Sequence, residues 1–218
     1  MKIINSDGSE AEMCGNGIRC LVRYLIDNNI IKSEIFLIET LAGNIKAKKC
    51  NNGEICVDMG KPILEASLIP TLLPVGNNGI PEGYIDIEGT KTKLYSIGMG
   101  NPHAIINVKS IDDVPLSKWG SIVENNEYFP KNTNVHFLEV LTVNKLKILV
   151  WERGAGATLA CGTGACATLV AAYLVGLSDN NANIILPGGN LFIDWPSKND
   201  SVFMTGNAEF VFSGSIDK

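Results

Sequence analysis

The chain has 218 residues, with 18 Lys and Arg against 23 Asp and Glu and a formal net charge of −5 at pH 7. Hydrophobic residues make up 45% and charged residues 19%, which is ordinary for a globular protein. This acidic balance, with Lys and Arg scattered along the chain, argues against a nucleic-acid partner, because no basic stripe is available to meet phosphates.

Neither a membrane helix nor a secretory signal is predicted. The longest weakly polar run, residues 166–177, is far shorter than the ~20 residues that a membrane helix requires. Polar residues 5–7 interrupt the N-terminus before an apolar segment could form, so the cytoplasm is the expected compartment. The six cysteines are therefore expected to stay reduced rather than form disulfides.

The first part of the chain is predicted to contain one helix among short strands. Residues 2–5 indicate a strand, and apolar residues at i, i+3, i+4, i+7 and i+8 from Ile18 to Ile26 predict an amphipathic helix over 15–27. Further strands are predicted at 34–40, 44–49 and 54–59, the last two joined by an Asn-Asn-Gly turn. Residues 60–83 carry four prolines and are the expected crossing between two domains.

The remainder of the chain is predicted to be richer in strands. The predicted strands lie at 84–88, 91–98, 103–108, 134–141 and 145–152, beside the turn at 187–190, and within 201–216. Helices are predicted near 115–124, which begins at a proline, and over 162–175. The sequence thus predicts an α+β fold with internal duplication. Its expected halves are residues 1–61 with a C-terminal return strand in 207–218, and residues 62–206.

Two cysteines lie in nearly identical surroundings far apart in the chain. Cys14 is part of Met-Cys-Gly-Asn-Gly-Ile-Arg-Cys (13–20), and Cys161 is part of Ala-Cys-Gly-Thr-Gly-Ala-Cys (160–166). Each Cys-Gly-x-Gly turn leads directly into a predicted helix. Two opposed thiols suit a reaction that removes a proton from one face of a carbon and returns it to the other face.

A helix N-terminus favours this chemistry in two ways. Its unpaired N–H groups stabilise a thiolate, which predicts a lowered pKa for Cys14 and Cys161 and faster alkylation than at the other cysteines. The same N–H groups bind carboxylates, and the glycines let a ligand approach the backbone closely. Abstraction of an α-proton from an amino acid needs both effects, because the carbanion's charge spreads into the carboxylate.

The remaining cysteines and polar motifs have simpler structural interpretations. Four cysteines are interpreted as small core hydrophobes: Cys20, Cys50, Cys56 and Cys166. Zinc is not favoured, because neither pair of neighbouring cysteines has Cys-x₂-Cys spacing. Two further segments, 98–103 and 151–157, carry His103 and the pair Glu152-Arg153. Taken alone, that histidine could be structural and that pair could be surface charge.

With these motifs the sequence resembles the diaminopimelate epimerases. The matching stretches are residues 5–19, 100–103, 134–135, 152–156 and 160–166, with weaker matches at 187–190 and 204–206. The related proline racemases share the two-cysteine plan but usually have His where this chain has Asn16. The phenazine-biosynthesis relatives lack the cysteine pair.

The resemblance implies epimerisation of LL-diaminopimelate to the meso form, in lysine and peptidoglycan-precursor biosynthesis, by a homodimer that needs neither PLP nor a metal. It implies that Cys14 and Cys161 are the acid/base residues and that His103 and Glu152 each support one thiol. The implied substrate-binding residues are Asn5, Gly15, Asn16, Asn101, Asn134, Glu152, Arg153, Gly162 and Thr163. The implied fold has two pseudo-symmetric halves, each a strand-rich barrel wrapped around a central helix.

One departure from the family pattern leaves an alternative open. The family usually has strands before the position of Asn5, including a Gly-Asn-Asp-Phe-like segment, and this sequence contains no such segment. The first half is therefore expected to be incomplete. The alternatives to the epimerase are a truncated, non-catalytic paralogue that binds an amino acid, and a related amino-acid racemase. Substrate-dependent uptake of solvent deuterium would distinguish an enzyme from a binder.

Overall fold

The computed structural model describes residues 1–4, 8 and 13–215. The chain forms two compact units, one from residues 1–57 with 205–218 and the other from residues 58–204. The sequence predicts the changeovers at 61/62 and 206/207, whereas the compact units change over at 57/58 and 204/205.

The first unit combines one helix with an antiparallel meander. Its elements are α1 (Gly15–Asp27), β1 (Ile35–Thr40), β2 (Gly43–Lys49) and β3 (Ile55–Asp58), and β2 pairs with both neighbouring strands. Ile18 and Val22 are fully buried, and α1 packs against β2. The strand predicted at 2–5 is wrong for its described part, because residues 1–3 have no regular structure and Ile4 forms only a bridge.

The second unit is built on a mixed sheet. Its elements are β4 (Glu82–Ile87), β5 (Thr90–Gly98), β6 (Pro102–Asn107), a 3₁₀ turn (Ile111–Asp113), α2 (Leu116–Glu124), β7 (Asn134–Thr142), β8 (Lys145–Glu152), β9 (Gly156–Thr158), α3 (Gly162–Leu174), β10 (Asn181–Leu186) and β11 (Gly189–Asp194). The strand order is β11-β10-β8-β7-β6-β5-β4, and β9 pairs with β8. The pairs are antiparallel except β6–β7 and β8–β10. A final strand, β12 (Phe203–Gly206), contains the changeover between the units.

Helix α3 lies in the core of the second unit. Every residue from Gly164 to Ala172 is buried, and the helix contacts β5, β6, β7, β10 and β11. A helix that is apolar on all sides is stable only when other elements cover every face. The small side chains along α3 (Ala165, Ala167, Ala171 and Ala172) let the surrounding strands approach its backbone.

The predicted C-terminal return strand in 207–218 is wrong for residues 207–215, which have no regular structure. Phe210, Val211 and Phe212 have exposed fractions of 74, 84 and 79%. An apolar run forms a strand only where a neighbouring strand pairs with it, and no pairing of these residues is present in the described part of the chain. The predicted α+β class is confirmed. None of the described helices is both long and apolar enough to cross a membrane.

Candidate active site

The Cys161 turn begins α3. Cys161 is the N-cap residue, with extended backbone angles (φ −134°, ψ 110°), and its side chain is only 5% exposed. Its sulfur does not accept a hydrogen bond as an N-cap acceptor. Instead the Sγ atom lies 3.4 Å from Oγ1 of Thr163. The turn therefore holds Cys161 at the helix start and leaves its sulfur buried beside the Thr163 hydroxyl.

This environment makes Cys161 a thiol rather than a thiolate. Burial and the nearby Glu152 carboxylate raise the pKa of Cys161 to about 12, and the neighbouring Thr163 hydroxyl and Gly164 backbone N–H only partly offset this rise. The expectation that the helix start lowers this pKa is wrong for Cys161 in this structure. Desolvation destabilises the thiolate by more than the helix N-terminus stabilises it. Cys161 therefore carries its proton at neutral pH.

The Cys14 turn begins α1 and differs from the Cys161 turn in one contact. Cys14 is the half-buried N-cap residue, and its Sγ accepts a hydrogen bond of 3.4 Å from the Gly17 backbone N–H. The sulfur thus takes the place of the usual oxygen acceptor at a helix start. Asn16 in the same turn has a buried Oδ1 atom without a hydrogen-bond partner among the described residues. That oxygen is available to accept a hydrogen bond from a bound ligand.

His103 belongs to a chain of hydrogen bonds in the second unit. It lies on β6 and is fully buried, with its Nε2 2.7 Å from Oδ1 of Asn101 and its Nδ1 2.8 Å from Nε2 of His136. Burial lowers the pKa of His103 well below its usual range, and His136 and Arg153 lower it further. Burial also lowers the pKa of His136 to about 3. Both imidazoles are therefore neutral at neutral pH.

His136 is a residue that sequence reasoning missed. It lies on β7, and the parallel pairing that sets His103 opposite Asn134 brings His136 beside the His103 ring. Its ring packs against the first turn of α3, where a Cβ added at Gly164 would overlap it. Two features of the sequence point to it. The chain has only two histidines, His103 and His136, and His136 lies two residues beyond Asn134, on the same face of a strand.

The turn that carries Arg153 is held by two buried side chains. Asn134 accepts a hydrogen bond of 3.0 Å from the Arg153 backbone N–H and donates one of 2.9 Å to the Pro102 carbonyl. Glu124, at the end of α2, accepts hydrogen bonds from Gly154 N–H at 2.9 Å and from Trp151 Nε1–H at 2.7 Å. The Asn134 amide, predicted to bind substrate, therefore has a backbone-positioning role in this structure.

We expect Glu124→Gln to destabilise the second unit by about 1–3 kcal/mol and to raise KM. The amide can accept only one of the two hydrogen bonds and turns an N–H group toward the other donor, which stays buried and unpaired. The matched control is Glu127→Gln, an exposed position three residues further on. Urea unfolding and substrate titration of both variants check this, and equal behaviour of the two would contradict the role given to Glu124.

A cavity of about 180 Å³ opens beside this turn. Asn101 and Arg153 supply its polar lining, and its apolar wall includes Ile63 and Ile69. The Arg153 side chain donates a hydrogen bond of 3.2 Å from Nη1 to the Lys131 carbonyl, and this bond restricts the orientation of the guanidinium group. The structure therefore brings two predicted substrate-binding residues, Asn101 and Arg153, to one cavity.

Of the other predicted site residues, Glu152 lies at the end of β8 and accepts a hydrogen bond of 2.6 Å from Thr158. Gly15 is buried at the start of α1, and Gly162 and Thr163 form the start of α3. Asn5 lies outside the described residues. His103, His136 and Cys161 offer two nitrogens and one sulfur within 4.8 Å of one another, and are a group within the described residues that could hold a metal ion.

Comparison with solved structures defines the class of fold. The chain is similar to a hydroxyproline epimerase from Agrobacterium vitis crystallised with bound trans-4-hydroxy-L-proline, with a TM-score of 0.63 at 15% identity, covering 94% of this chain and 67% of that chain. At this identity the likeness shows the fold alone. The chain thus has the α+β fold of this epimerase.

Sequence comparison is more specific. Residues 1–65 and 95–211 match the family described as Diaminopimelate epimerase. The diaminopimelate epimerase of Prochlorococcus marinus (strain MIT 9313) is 51% identical over 220 residues, covering 99% of this chain and 72% of the relative. The chloroplastic diaminopimelate epimerase of Oryza sativa subsp. japonica is 46% identical, covering 99% of this chain and 63% of the relative. The chain belongs to the diaminopimelate epimerase family.

Proposed function

We propose that this protein is an isomerase that inverts one α-carbon of LL-diaminopimelate to give meso-diaminopimelate, a step of lysine and peptidoglycan-precursor biosynthesis. One observation carries the chemistry: Cys14 and Cys161 are each the N-cap residue of a helix that begins with Gly-x-Gly. Membership of the diaminopimelate epimerase family supports the choice of substrate.

The two thiols act as base and acid in turn. In one direction the Cys14 thiolate takes the α-proton, so that the C–H bond breaks, an S–H bond forms, and the electron pair passes into the substrate carboxylate. Cys161, which holds its proton in this structure, then delivers it to the opposite face of the carbon. In the reverse direction the roles exchange.

The helix starts stabilise the charge that develops during proton transfer. Backbone N–H groups at Gly15-Asn16 and Gly162-Thr163 bind the reacting carboxylate, because the N-terminus of a helix favours negative charge. The Oδ1 of Asn16, which has no partner among the described residues, accepts a hydrogen bond from the substrate amino group. His103 and Glu152 support the thiols, and Glu152 acts on Cys161, whose pKa its carboxylate raises.

Recognition of the distal amino acid group distinguishes this substrate from alanine or proline. Asn101 and Arg153 line the cavity and, together with Asn5, bind that second group. The Arg153 guanidinium has further N–H donors beyond the one that Lys131 accepts, and its planar fork suits a carboxylate. Asn134 contributes chiefly by holding the Arg153 backbone.

The test is to incubate the purified chain with LL-diaminopimelate and separate the stereoisomers over time. We expect the meso form to accumulate until the two isomers reach equilibrium, and no comparable turnover of L-alanine or L-proline. Comparable turnover of those amino acids would favour a general amino-acid racemase. Binding of diaminopimelate without any conversion would favour a non-catalytic paralogue and contradict the proposal.

We further propose that the enzyme works without an organic cofactor, in the cytoplasm and as a homodimer. Two thiols at helix starts provide both proton transfers, so the chemistry requires no electron sink such as PLP. The rice relative is named as chloroplastic. Sedimentation of the purified chain distinguishes a dimer from a monomer.

A further inference from the structure

Three buried side chains in the second unit bring two imidazoles and one thiol together beside the start of α3. His103, His136 and Cys161 offer ligand atoms that lie within 4.8 Å of one another. We propose that these three residues form a binding site for a divalent cation of the Zn²⁺ class, and that the bound cation takes Cys161 out of use. Imidazole nitrogen and thiolate sulfur are the ligands that such cations prefer.

The distances fit a cation after small movements. Three atoms that lie within 4.8 Å of one another share a point about 2.8 Å or less from each of them. Zinc binds imidazole nitrogen at about 2.0–2.1 Å and thiolate sulfur at about 2.3 Å. Each side chain must therefore move inward by at most about 0.5–0.8 Å to reach those bond lengths, which is within the range of ordinary side-chain adjustment.

The hydrogen bonds around His103 prepare that ring for a cation. Asn101 Oδ1 lies 2.7 Å from His103 Nε2, so this nitrogen carries the proton and the lone pair of Nδ1 points at His136. A ligating histidine usually donates its other N–H to such an oxygen, which sets the tautomer and the orientation of the ring. The same arrangement is present here before any cation binds.

His136 completes the pair. Its Nε2 lies 2.8 Å from His103 Nδ1, and its Nδ1 is buried with no hydrogen-bond partner among the described residues. In the cation-free protein one proton sits between the two rings. A cation replaces that proton, which moves to the unpartnered Nδ1 of His136, so that a lone pair of each ring faces the cation.

The charges also balance. Cation binding replaces the thiol proton of Cys161, which leaves to solvent, so that an S–H bond breaks and a sulfur–metal bond forms. Two neutral imidazoles, one thiolate and a divalent ion carry one net positive charge. The carboxylate of Glu152, which acts electrostatically on Cys161, offsets that charge. The negative charge of Glu152 disfavours a bare thiolate at Cys161 and, for the same reason, favours a bound cation there.

The functional consequence rests on the proposed function, whereas binding itself does not. A Cys161 sulfur bonded to a metal has no proton to deliver. Micromolar Zn²⁺ is therefore expected to inhibit epimerisation, and a chelator is expected to restore it.

The experiment measures cation binding directly on the chelator-treated full chain. Cd²⁺ is added, and the ultraviolet charge-transfer absorption of the sulfur–cadmium bond is followed. In parallel, protein labelled with ¹⁵N-histidine is titrated with Zn²⁺; the chain has two histidines, so every imidazole signal comes from the proposed site. We expect binding of one ion per chain, a charge-transfer band, and shifts of both imidazoles.

Variants assign the ligands. We expect Cys161→Ser to lose the band, His136→Asn to bind at least tenfold more weakly, and Asn101→Ala to lose about 10–100-fold in affinity through its effect on His103. Cys50→Ser is the control and keeps the wild-type affinity. Should His136→Asn fail to fold, the imidazole signals of the wild-type chain still decide the question.

Metal binding that leaves both imidazole signals unmoved, or a band that survives Cys161→Ser, would overturn the proposed site. Absence of binding at a tenfold excess of Zn²⁺ would overturn it as well. Metal binding by a chain that does not turn over diaminopimelate would refute the proposed function and leave the site intact.

Discussion

Cys14→Ser and Cys161→Ser are each expected to lower the rate of epimerisation at least about 10³-fold in both directions. A serine hydroxyl is a far weaker acid than a thiol, so it neither abstracts the α-proton as an alkoxide nor returns one readily, and positioned acid–base groups contribute about 10²–10⁴-fold each. Because each direction uses both thiols, neither single variant retains one fast direction. Stereoisomer analysis starting from the LL and meso forms checks this.

The matched control is Cys50→Ser, a half-buried cysteine outside both turns, which is expected to keep nearly full activity. Circular dichroism of all three variants separates lost chemistry from lost folding. If either Cys14→Ser or Cys161→Ser, while folded, kept most of the wild-type rate, the two-thiol mechanism would be wrong.

Gly164→Ala is expected to destabilise the second unit by about 3 kcal/mol or more. The new Cβ would overlap the His136 ring and lie 2.5 Å from its Nε2 atom. That ring is fully buried and hydrogen-bonded to His103, so it cannot shift far enough to relieve the overlap. Forced overpacking of a close-packed core typically costs about 1–3 kcal/mol and more where nothing yields. Urea unfolding followed by tryptophan fluorescence reports this unit, since Trp119, Trp151 and Trp195 all lie within it.

The duplicated turn supplies the control. Gly17 occupies the same place after Cys14 that Gly164 occupies after Cys161, but the nearest atoms to a Cβ there would be the flexible end of Met1 at 3.0 Å and the Cys14 sulfur at 3.6 Å. Gly17→Ala is therefore expected to leave the tryptophan-detected transition unchanged. Adding His136→Ala to Gly164→Ala should recover part of the lost stability. A Gly164→Ala protein as stable as Gly17→Ala would contradict the packing described here.

Local sequence patterns were sufficient to predict the elements that carry the site. The bounds of α1 agree with the prediction, and those of α3 agree at its start and differ by one residue at its end. In both helices a Cys-Gly turn precedes an apolar-periodic run, and these signals act over a few residues. The predicted strand over 201–216 failed beyond Gly206, because apolar character alone does not provide a pairing partner.

The contacts missing from the prediction arise from tertiary structure. His136 meets His103 because β6 and β7 pair in parallel, although the two residues are far apart in sequence. Glu124 meets the Arg153 turn because α2 ends beside it. The direction of the pKa shift at Cys161 was mispredicted because a helix start is visible in the sequence, whereas the burial that outweighs it is not.

The most direct test of the two-thiol account follows hydrogen during a single conversion. LL-diaminopimelate is incubated with the enzyme in D₂O, and product and remaining substrate are analysed by mass spectrometry at low conversion. One thiol removes the substrate proton and the other, already exchanged with solvent, delivers deuterium. We therefore predict that nearly all the meso product carries one deuterium and that the remaining LL substrate carries almost none. Product that retains the hydrogen of the substrate would show that a single group moves the proton between faces, and would contradict the account.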